Sequence, residues 1–272
     1  MEYLSGKELS NQIKEKVKEE VALLTRKPHM VVLVNPNDES SLGYVRMQEK
    51  AAVQLGIRFS LITMKDSEEE YIAKIKELNE DKDVDAIMVT RPLFKGADES
   101  LIINEINPSK DVDALNPLSL GELFICKEGY IAPATAQAII ELIKAYNIDV
   151  KGKEVLVVGR SISVGKPVSM MLLEMNGTVT IAHSRSLDLP TLLSRADIVI
   201  AAVGKPHLLD ASACKEGAIV IDAGIHYLED GIVGDVKPND KLRAISKVPG
   251  GVGAITTACL MMNVLKCYRR NN

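Results

Sequence analysis

Two glycines frame the segment of this chain best suited to hold an anion. Gly159-Arg160-Ser161-Ile162-Ser163-Val164-Gly165-Lys166-Pro167 follows the β-branched run EVLVVG (154–159) and leads into SVGKPVSMMLLEMNG, which starts a helix. A glycine at a strand end permits a tight turn and a close approach of backbone to a pyrophosphate. The helix that follows offers N–H groups and the positive end of its dipole to the same anion. The spacing resembles G-x-G-x-x-G, but Ser161 stands where the second glycine would be, and Gly165 comes one residue late. Spacing alone therefore also fits an ordinary glycine turn; the strand before and the helix after favour a dinucleotide.

The next strand bears on which dinucleotide. In NAD sites an acidic residue about twenty positions on accepts the ribose 2′-hydroxyl. Here TVTIAH (178–183) runs into Ser184-Arg185-Ser186, with no acid before Asp188. Arg160, Ser184 and Arg185 could instead give charge-assisted hydrogen bonds to a 2′-phosphate. Otherwise they are solvated loop residues, a common fate for Arg and Ser. The pattern points to NADP rather than NAD.

These residues need a scaffold, and the hydrophobic pattern supplies one. Residues 6 to 25 read as an amphipathic helix with Leu9, Ile13, Val17, Val21 and Leu24 on one face. MVVLV (30–34), RFSLITM and DAIMVT (85–90) read as strands, separated by helices over 41–55 and EEEYIAKIKELNED, with a further short helix over 98–106. Gly56 is a plausible helix C-cap. Around 117–133 the texture loosens, and TAQAIIELIKAYNI (135–148) reads as a long helix. A second alternation follows: EVLVVG, TVTIAH, DIVIAAVG (197–204) and AIVIDAG (218–224) as strands, with SLDLPTLLSRA as a helix. Strands alternating with helices mean a parallel, doubly wound α/β sheet. ITTACLMMNVLKCYRR closes the chain as an apolar helix.

Composition narrows the partners. A net charge of −4 argues against a nucleic-acid backbone, which usually calls for a basic stripe. No apolar run reaches the roughly eighteen residues of a membrane span. The charged N-terminus lacks the apolar region of a secretory signal, so a cytoplasmic protein is expected. Cys126, Cys214, Cys259 and Cys267 show no CxxC spacing and have no His at ligand spacing, so no metal site is expected.

The assembled motifs resemble one family along nearly the whole chain. GRSISVGKP, AHSRS, AVGKP (202–206), IDAGI (221–225), VGDV (233–236) and VPGGVGAIT (248–256) occur in the order seen in bifunctional methylenetetrahydrofolate dehydrogenase/cyclohydrolase. SLGYV (41–45), RPL (91–93), NPSKDVDALNP (107–117) and PAT (133–135) match the other half. Together PGGVG and KDVD are specific; either alone is a modest signal. The resemblance implies two lobes: a folate-binding catalytic domain over 1–118 completed by helix 255–272, and a Rossmann-type NADP-binding domain over 119–254, with the folate in the cleft between them. It implies a homodimer joined through the Rossmann lobe. It also implies oxidation of 5,10-methylenetetrahydrofolate to the methenyl form with hydride passing to NADP, followed in many members by ring hydrolysis.

Site residues carry over by position. The family's active-site tyrosine is Tyr44, and the carboxylate that anchors the pterin is Asp113. Thr90, Pro92, Leu93, Gly250 and Gly251 fall at substrate-binding positions. Gly159, Arg160, Ser161, Val164, Gly165, Ser184, Arg185, Val203, Gly204, Ile225 and Thr256 fall at cofactor positions. On the residues alone, Tyr44 also fits a core tyrosine and Asp113 a turn aspartate. The family lysine four positions after the tyrosine, assigned to proton transfer in ring hydrolysis, is Gln48 here. An amide exchanges no proton near neutral pH. Lys50 is no substitute, because two residues along a helix turn the side chain by about 200°. The partner glutamine of that lysine is Thr90. Ala114 replaces a glycine, Phe94 and Ala254 replace prolines, and Ala134-Thr135-Ala136 replaces Cys-Thr-Pro. Dehydrogenase chemistry is thus supported more firmly than hydrolysis. Two alternatives stand beside it: another NADP-dependent dehydrogenase of the same plan, such as a shikimate-type enzyme, or a folate- or nucleotide-binding protein without catalysis.

Overall fold

The structure, a computed structural model, describes the backbone of residues 1–272 and every side chain except those of residues 39 and 40. The elements run β1 (Glu2–Leu4), α1 (Lys7–Ala22), β2 (His29–Val34), α2 (Glu39–Gln54), β3 (Arg58–Thr63), α3 (Glu68–Glu80), β4 (Ala86–Val89), α4 (Glu99–Asn104), α5 (Pro117–Phe124) and α6 (Ala134–Ala145). They continue with β5 (Glu154–Val158), α7 (Gly165–Glu174), β6 (Thr178–Ala182), α8 (Leu189–Arg195), β7 (Ile198–Ala201), β8 (Leu209–Asp210), β9 (Ile219–Asp222), β10 (His226–Leu228), β11 (Gly231–Val233), β12 (Val236–Lys237), β13 (Ala244–Ser246) and α9 (Val252–Asn271). They form two compact units: Gln12–Ala132 with Leu260–Asn272, and Met1–Asn11 with Pro133–Cys259.

The first of these units holds a three-stranded parallel sheet in the order β3-β2-β4. Its centre is the run Met30–Val34, buried throughout, as a strand covered on both faces must be. Tyr71, Ile75 and Leu78 recur at helical spacing along α3 and bury that face against Val31, Leu33, Ile87 and Val89. Ser67 caps the start of α3, accepting the Glu70 N–H at 3.2 Å, and three acids in its first turn suit the helix dipole. At the other end the buried Lys110 ammonium donates to the carbonyls of Leu78, Asn79 and Asp81 at 2.9, 2.8 and 2.7 Å. Those carbonyls have few partners in their own helix, and the lysine supplies them.

The segment after Lys110 extends this sheet, because Ile87 N–H donates to Lys110 O at 2.7 Å and Asp111 bridges Ile87 in parallel. Asn116 then caps α5, and Pro117 sits at its first position, where the missing N–H costs nothing. The sequence pattern reads 117–133 as loosened texture; the structure makes its first part a helix. The exposed Leu118, Phe124 and Ile125 blur the two-faced periodicity that would reveal it.

The other unit holds a six-stranded, all-parallel sheet in the order β1-β13-β9-β7-β5-β6. Leu156, Val158, Val199 and Val220 are part of its core. The chain moves from β5 to β6 on one side and then crosses to β7 on the other. Ligands of open α/β sheets bind at such a reversal, beyond the carboxyl ends of the strands. Register pairs Val158 with both Ala182 and Ala201, and Ala201 with Asp222, so β5, β6, β7 and β9 end in one row. The strands β1, β8, β10, β11, β12 and β13 have no counterpart in the sequence pattern. Each is only two or three residues long, too short for a period to register.

Candidate active site

The row of strand ends gathers most of the dinucleotide candidates. Gly159 has φ +135°, and a Cβ there would run into the Ala202 carbonyl; its N–H donates to Ala182 O at 2.8 Å. A Cβ on Gly165 would strike the Gly159 carbonyl. Both glycines are therefore dictated by close backbone approach. The loop between them differs in one respect from the expected anion cradle. Ser161 Oγ accepts the N–H groups of Val164 and Gly165 at 3.1 and 3.4 Å, and Ser161 O takes that of Lys166 at 3.0 Å. Pro167 has no N–H to give. Val164 offers α7 no side-chain cap, so Ser161 caps it, and the first N–H groups of the helix are spent on the loop rather than held open.

The charged groups lie on the rim. Ser186 Oγ accepts the His183 N–H at 2.9 Å, and His183 Nδ1 lies 3.1 Å from the Arg185 N–H, closing a turn that leaves Ser184 and Arg185 exposed. The pairing of Val158 with Ala182 sets this turn at the strand end next to that of Arg160, which is exposed too. Among the described residues neither Arg160 nor Arg185 has a salt-bridge partner. Val203 and Gly204 follow β7, and Ile225 follows β9. Gly204 has φ +71°, and a Cβ there would meet nothing. Thr256 lies on α9, half-buried, with its hydroxyl donating to Val252 O at 3.2 Å. Gly250 and Gly251 belong to this unit as well; Gly250 O accepts the Gly6 N–H at 2.8 Å, and a Cβ on Gly6 would meet Gly251 O.

The remaining candidates belong to the other unit. Tyr44 and Gln48 lie one turn apart on α2, Thr90 and Arg91 follow β4, and Asp113 comes two residues beyond the Ile87–Asp111 bridge. That parallel register carries Asp113 alongside the end of β4. Burial pushes the Asp113 carboxyl up to about 6, with Asp111 adding to the rise and the Arg91 guanidinium opposing it. Tyr44 is 39% exposed overall, yet burial of its hydroxyl end and the nearby Asp113 push its pKa up to about 12. Gln48 lies close enough to that hydroxyl to pull its pKa the other way, but neither amide atom of Gln48 has a partner in hydrogen-bonding geometry. Gln48 is 0% exposed, and Thr90, 4% exposed, has an unpartnered hydroxyl too. Pro92 is exposed; Leu93 packs into the core, and its carbonyl accepts from Asn35 Nδ2 at 3.2 Å.

The KDVD segment divides between architecture and site. Lys110 caps α3, and Asp111 Oδ2 accepts the Asn116 N–H at 2.8 Å; Asp113 alone faces Tyr44 and Arg91. Ala114 has φ +53°, the left-handed conformation that a glycine adopts at less cost. Two acids inside quoted motifs, Asp222 and Asp235, turn out to organise the strand-end loops. Their sequence signal is slight: Asp222 follows the run AIVI, and Asp235 follows Ile232-Val233-Gly234. No three His, Cys, Asp or Glu side chains among the described residues are grouped to hold a metal.

Two family models match the chain. Residues 4–113 match the catalytic domain of tetrahydrofolate dehydrogenase/cyclohydrolase, and residues 133–272 match its NAD(P)-binding domain. The chain belongs to the tetrahydrofolate dehydrogenase/cyclohydrolase family. The bifunctional protein FolD of Acetivibrio thermocellus is 45% identical over 98% of this chain and 96% of its own length. The crystal structure of the bifunctional FolD enzyme of Campylobacter jejuni superposes with a TM-score of 0.95 at 37% identity, covering 98% of this chain and 99% of that one. The Trypanosoma brucei FolD structure, complexed with NADP cofactor and inhibitor, gives 0.92 at 32% identity, covering 98% and 97%. The two-domain α/β plan of the family is the plan found here.

Proposed function

We propose that this protein oxidises 5,10-methylenetetrahydrofolate to 5,10-methenyltetrahydrofolate with NADP as hydride acceptor, and that its hydrolysis of the methenyl ring is weak or absent. The observation that carries the first part is the grouping of Tyr44, Arg91 and Asp113 in a chain of this family. With a pKa of about 6, Asp113 is mostly ionised at neutral pH and can accept two parallel N–H donors from the amino-pyrimidine edge of a pterin. Tyr44, held protonated, offers an aromatic face to a flat ring and a hydroxyl that can donate. Gln48 and Thr90 carry buried polar atoms without partners, which meet a docked ligand only if those side chains turn.

The strand-end row fits NADP. Gly159 and Gly204 keep the backbone free of side chains where the chain turns, and Arg160, Ser184 and Arg185 supply unpaired donors for a 2′-phosphate. Ser161, Val164 and Gly165 shape the loop, Val203 and Ile225 follow β7 and β9 at the strand-end row, and Thr256 joins them by its family position. The cofactor supplies hydride acceptance. The protein's own task is to hold the donor carbon in place and keep water away, and no ionised base is needed for that step.

Ring hydrolysis does require a proton shuttle, and Gln48 cannot be one. A second copy of the chain is the expected partner: β6 is an edge strand with Ile181 exposed, and Leu173 on α7 is exposed as well, features that suit pairing through this unit. A cytoplasmic location accords with this reading; no helix among the described residues is long and apolar enough to cross a membrane.

Purified protein mixed with NADP and methylenetetrahydrofolate should generate NADPH, and should not do so with shikimate. No NADPH from the folate would refute the dehydrogenase reading. Methenyltetrahydrofolate without NADP should decay at the buffer rate; clear enzyme-dependent decay would refute the second part. Gln48→Lys alone should restore little hydrolysis, because Thr90 lacks the reach of the family's glutamine.

A further inference from the structure

We propose that Asp235 is a positioning residue for the cofactor: it holds the loop after β7 in its binding shape by gripping three consecutive backbone N–H groups, with His226 as a fourth donor. The proposal rests on the reading that Val203 and Gly204 contact the dinucleotide.

Asp235 is 0% exposed. Its Oδ2 accepts the N–H groups of Val203 at 2.6 Å and Gly204 at 3.0 Å; its Oδ1 accepts that of Lys205 at 3.0 Å and lies 2.8 Å from His226 Nε2. An ionised carboxylate has about four acceptor sites and no donor. All four are filled here, three of them by a single loop. The three loop donors are consecutive, so the carboxylate fixes the backbone of residues 203–205 as one piece.

The grip is anchored from behind. Asp222, in register with Ala201 at the strand-end row, accepts the N–H groups of Gly224, Asp235 and Val236 at 2.8, 3.0 and 2.9 Å. A Cβ on Gly224 would strike the Asp235 carboxylate, and a Cβ on Gly234 would strike that of Asp222. The two acids therefore form a relay: Asp222 fixes the backbone of Asp235, and Asp235 fixes the loop. His226 opens the β10–β11 hairpin directly after Ile225, so the same carboxylate ties a second cofactor residue to the first. With the loop's N–H groups already occupied by the protein's own anion, the phosphates are left to Arg160, Ser184 and Arg185.

Asp235→Asn keeps the shape but replaces one oxygen by an NH2 group, which confronts the N–H groups of Val203 and Gly204 if turned one way and that of Lys205 if turned the other. NADP binding should be measured by titration calorimetry on the intact protein, at a temperature where circular dichroism shows each variant folded. Amide hydrogen exchange of residues 203–205 should be followed without cofactor. D235N is expected to raise the Kd for NADP about tenfold to a hundredfold, the cost of losing charge-assisted hydrogen bonds. It should speed exchange at 203–205, and raise KM for NADP with KM for the folate unchanged. His226→Ala should raise the Kd about threefold, and His226→Gln, which keeps a donor, should recover most of that loss. NADP binding by D235N at the wild-type Kd would overturn the proposal, whatever the exchange rates. If D235N does not fold, wild-type affinity in H226A overturns it instead. Failure of the wild-type protein itself to bind NADP would sink the dinucleotide reading, a distinct result that removes the proposal's basis.

Discussion

Acids do opposite things in the two units. At the strand ends of the six-stranded sheet, Asp222 and Asp235 have every oxygen engaged by named donors. In the other unit Asp113 is pushed up to about 6 by burial with Arg91 as its main relief, and Gln48, beside Tyr44, and Thr90, next to Arg91 in the chain, keep unpartnered polar atoms. Burying a polar group without a partner costs about 1–3 kcal/mol, so each such atom lowers the stability of the free protein. Unpartnered atoms also occur in the core, at Tyr71 and Asn263, so what sets Gln48 and Thr90 apart is their place on the elements that carry Tyr44 and Arg91.

Substitutions should separate the two. Asp222→Ala strands two buried N–H groups and one half-buried one, and should destabilise the fold by about 3–5 kcal/mol in urea denaturation. A loss below about 1 kcal/mol would remove the distinction from the architectural side. Asp113→Asn should do the reverse: kcat/KM for methylenetetrahydrofolate should fall about a hundredfold, equivalent to about 2.7 kcal/mol, while the melting midpoint holds or rises. Its stability effect has a definite sign. The folded carboxyl holds its proton up to about pH 6, whereas an unfolded aspartate releases it near pH 4. The contribution of this group to stability therefore falls as pH rises through that window, and the asparagine variant should lose that fall. A variant that melts lower in step with its activity would place Asp113 with the architectural acids.

Gly159→Ala adds a Cβ where the Ala202 carbonyl already lies and where φ is +135°. It should cost about 2 kcal/mol of stability and weaken NADP binding; a neutral result would show that the turn can open. The smallest effect is expected from Gln48→Met, which exchanges two unpaired amide atoms for a thioether of similar volume. It should stabilise the free protein by about 1 kcal/mol and lower affinity for the folate. A destabilised variant would mean that Gln48 is held by partners of its own.

The sequence carried the scaffold where apolar runs were long enough to show a period. MVVLV, EVLVVG and DIVIAAVG are strands β2, β5 and β7, and the glycine pair 159 and 165 lies between β5 and α7 as expected. Six strands of two or three residues and the helix α5 stayed hidden, the former for want of length and the latter because its apolar residues are split between the buried Leu123 and the exposed Leu118 and Phe124. Ser161 illustrates a deeper limit: its type and position suit phosphate contact, but the hydroxyl serves the helix start. Asp222 and Asp235 were visible as letters within motifs, but not as a relay, because their partners at 203–205 and 224 meet them only after the sheet has formed. Gln48 and Thr90 stood out only by comparison with the family pattern. Their unpaired burial adds a physical reason to that difference.

The dependence of kcat/KM for methylenetetrahydrofolate on pH reports directly on the carboxylate at the centre of this account, since it follows ionisations of the free enzyme. It should rise through about pH 6 in the wild-type protein. The limb should move to higher pH in Arg91→Leu, which removes the opposing cation, and should vanish in Asp113→Asn. A profile that is flat across that range, or a limb that survives unchanged in Asp113→Asn, would contradict the claim that Asp113 seats the folate.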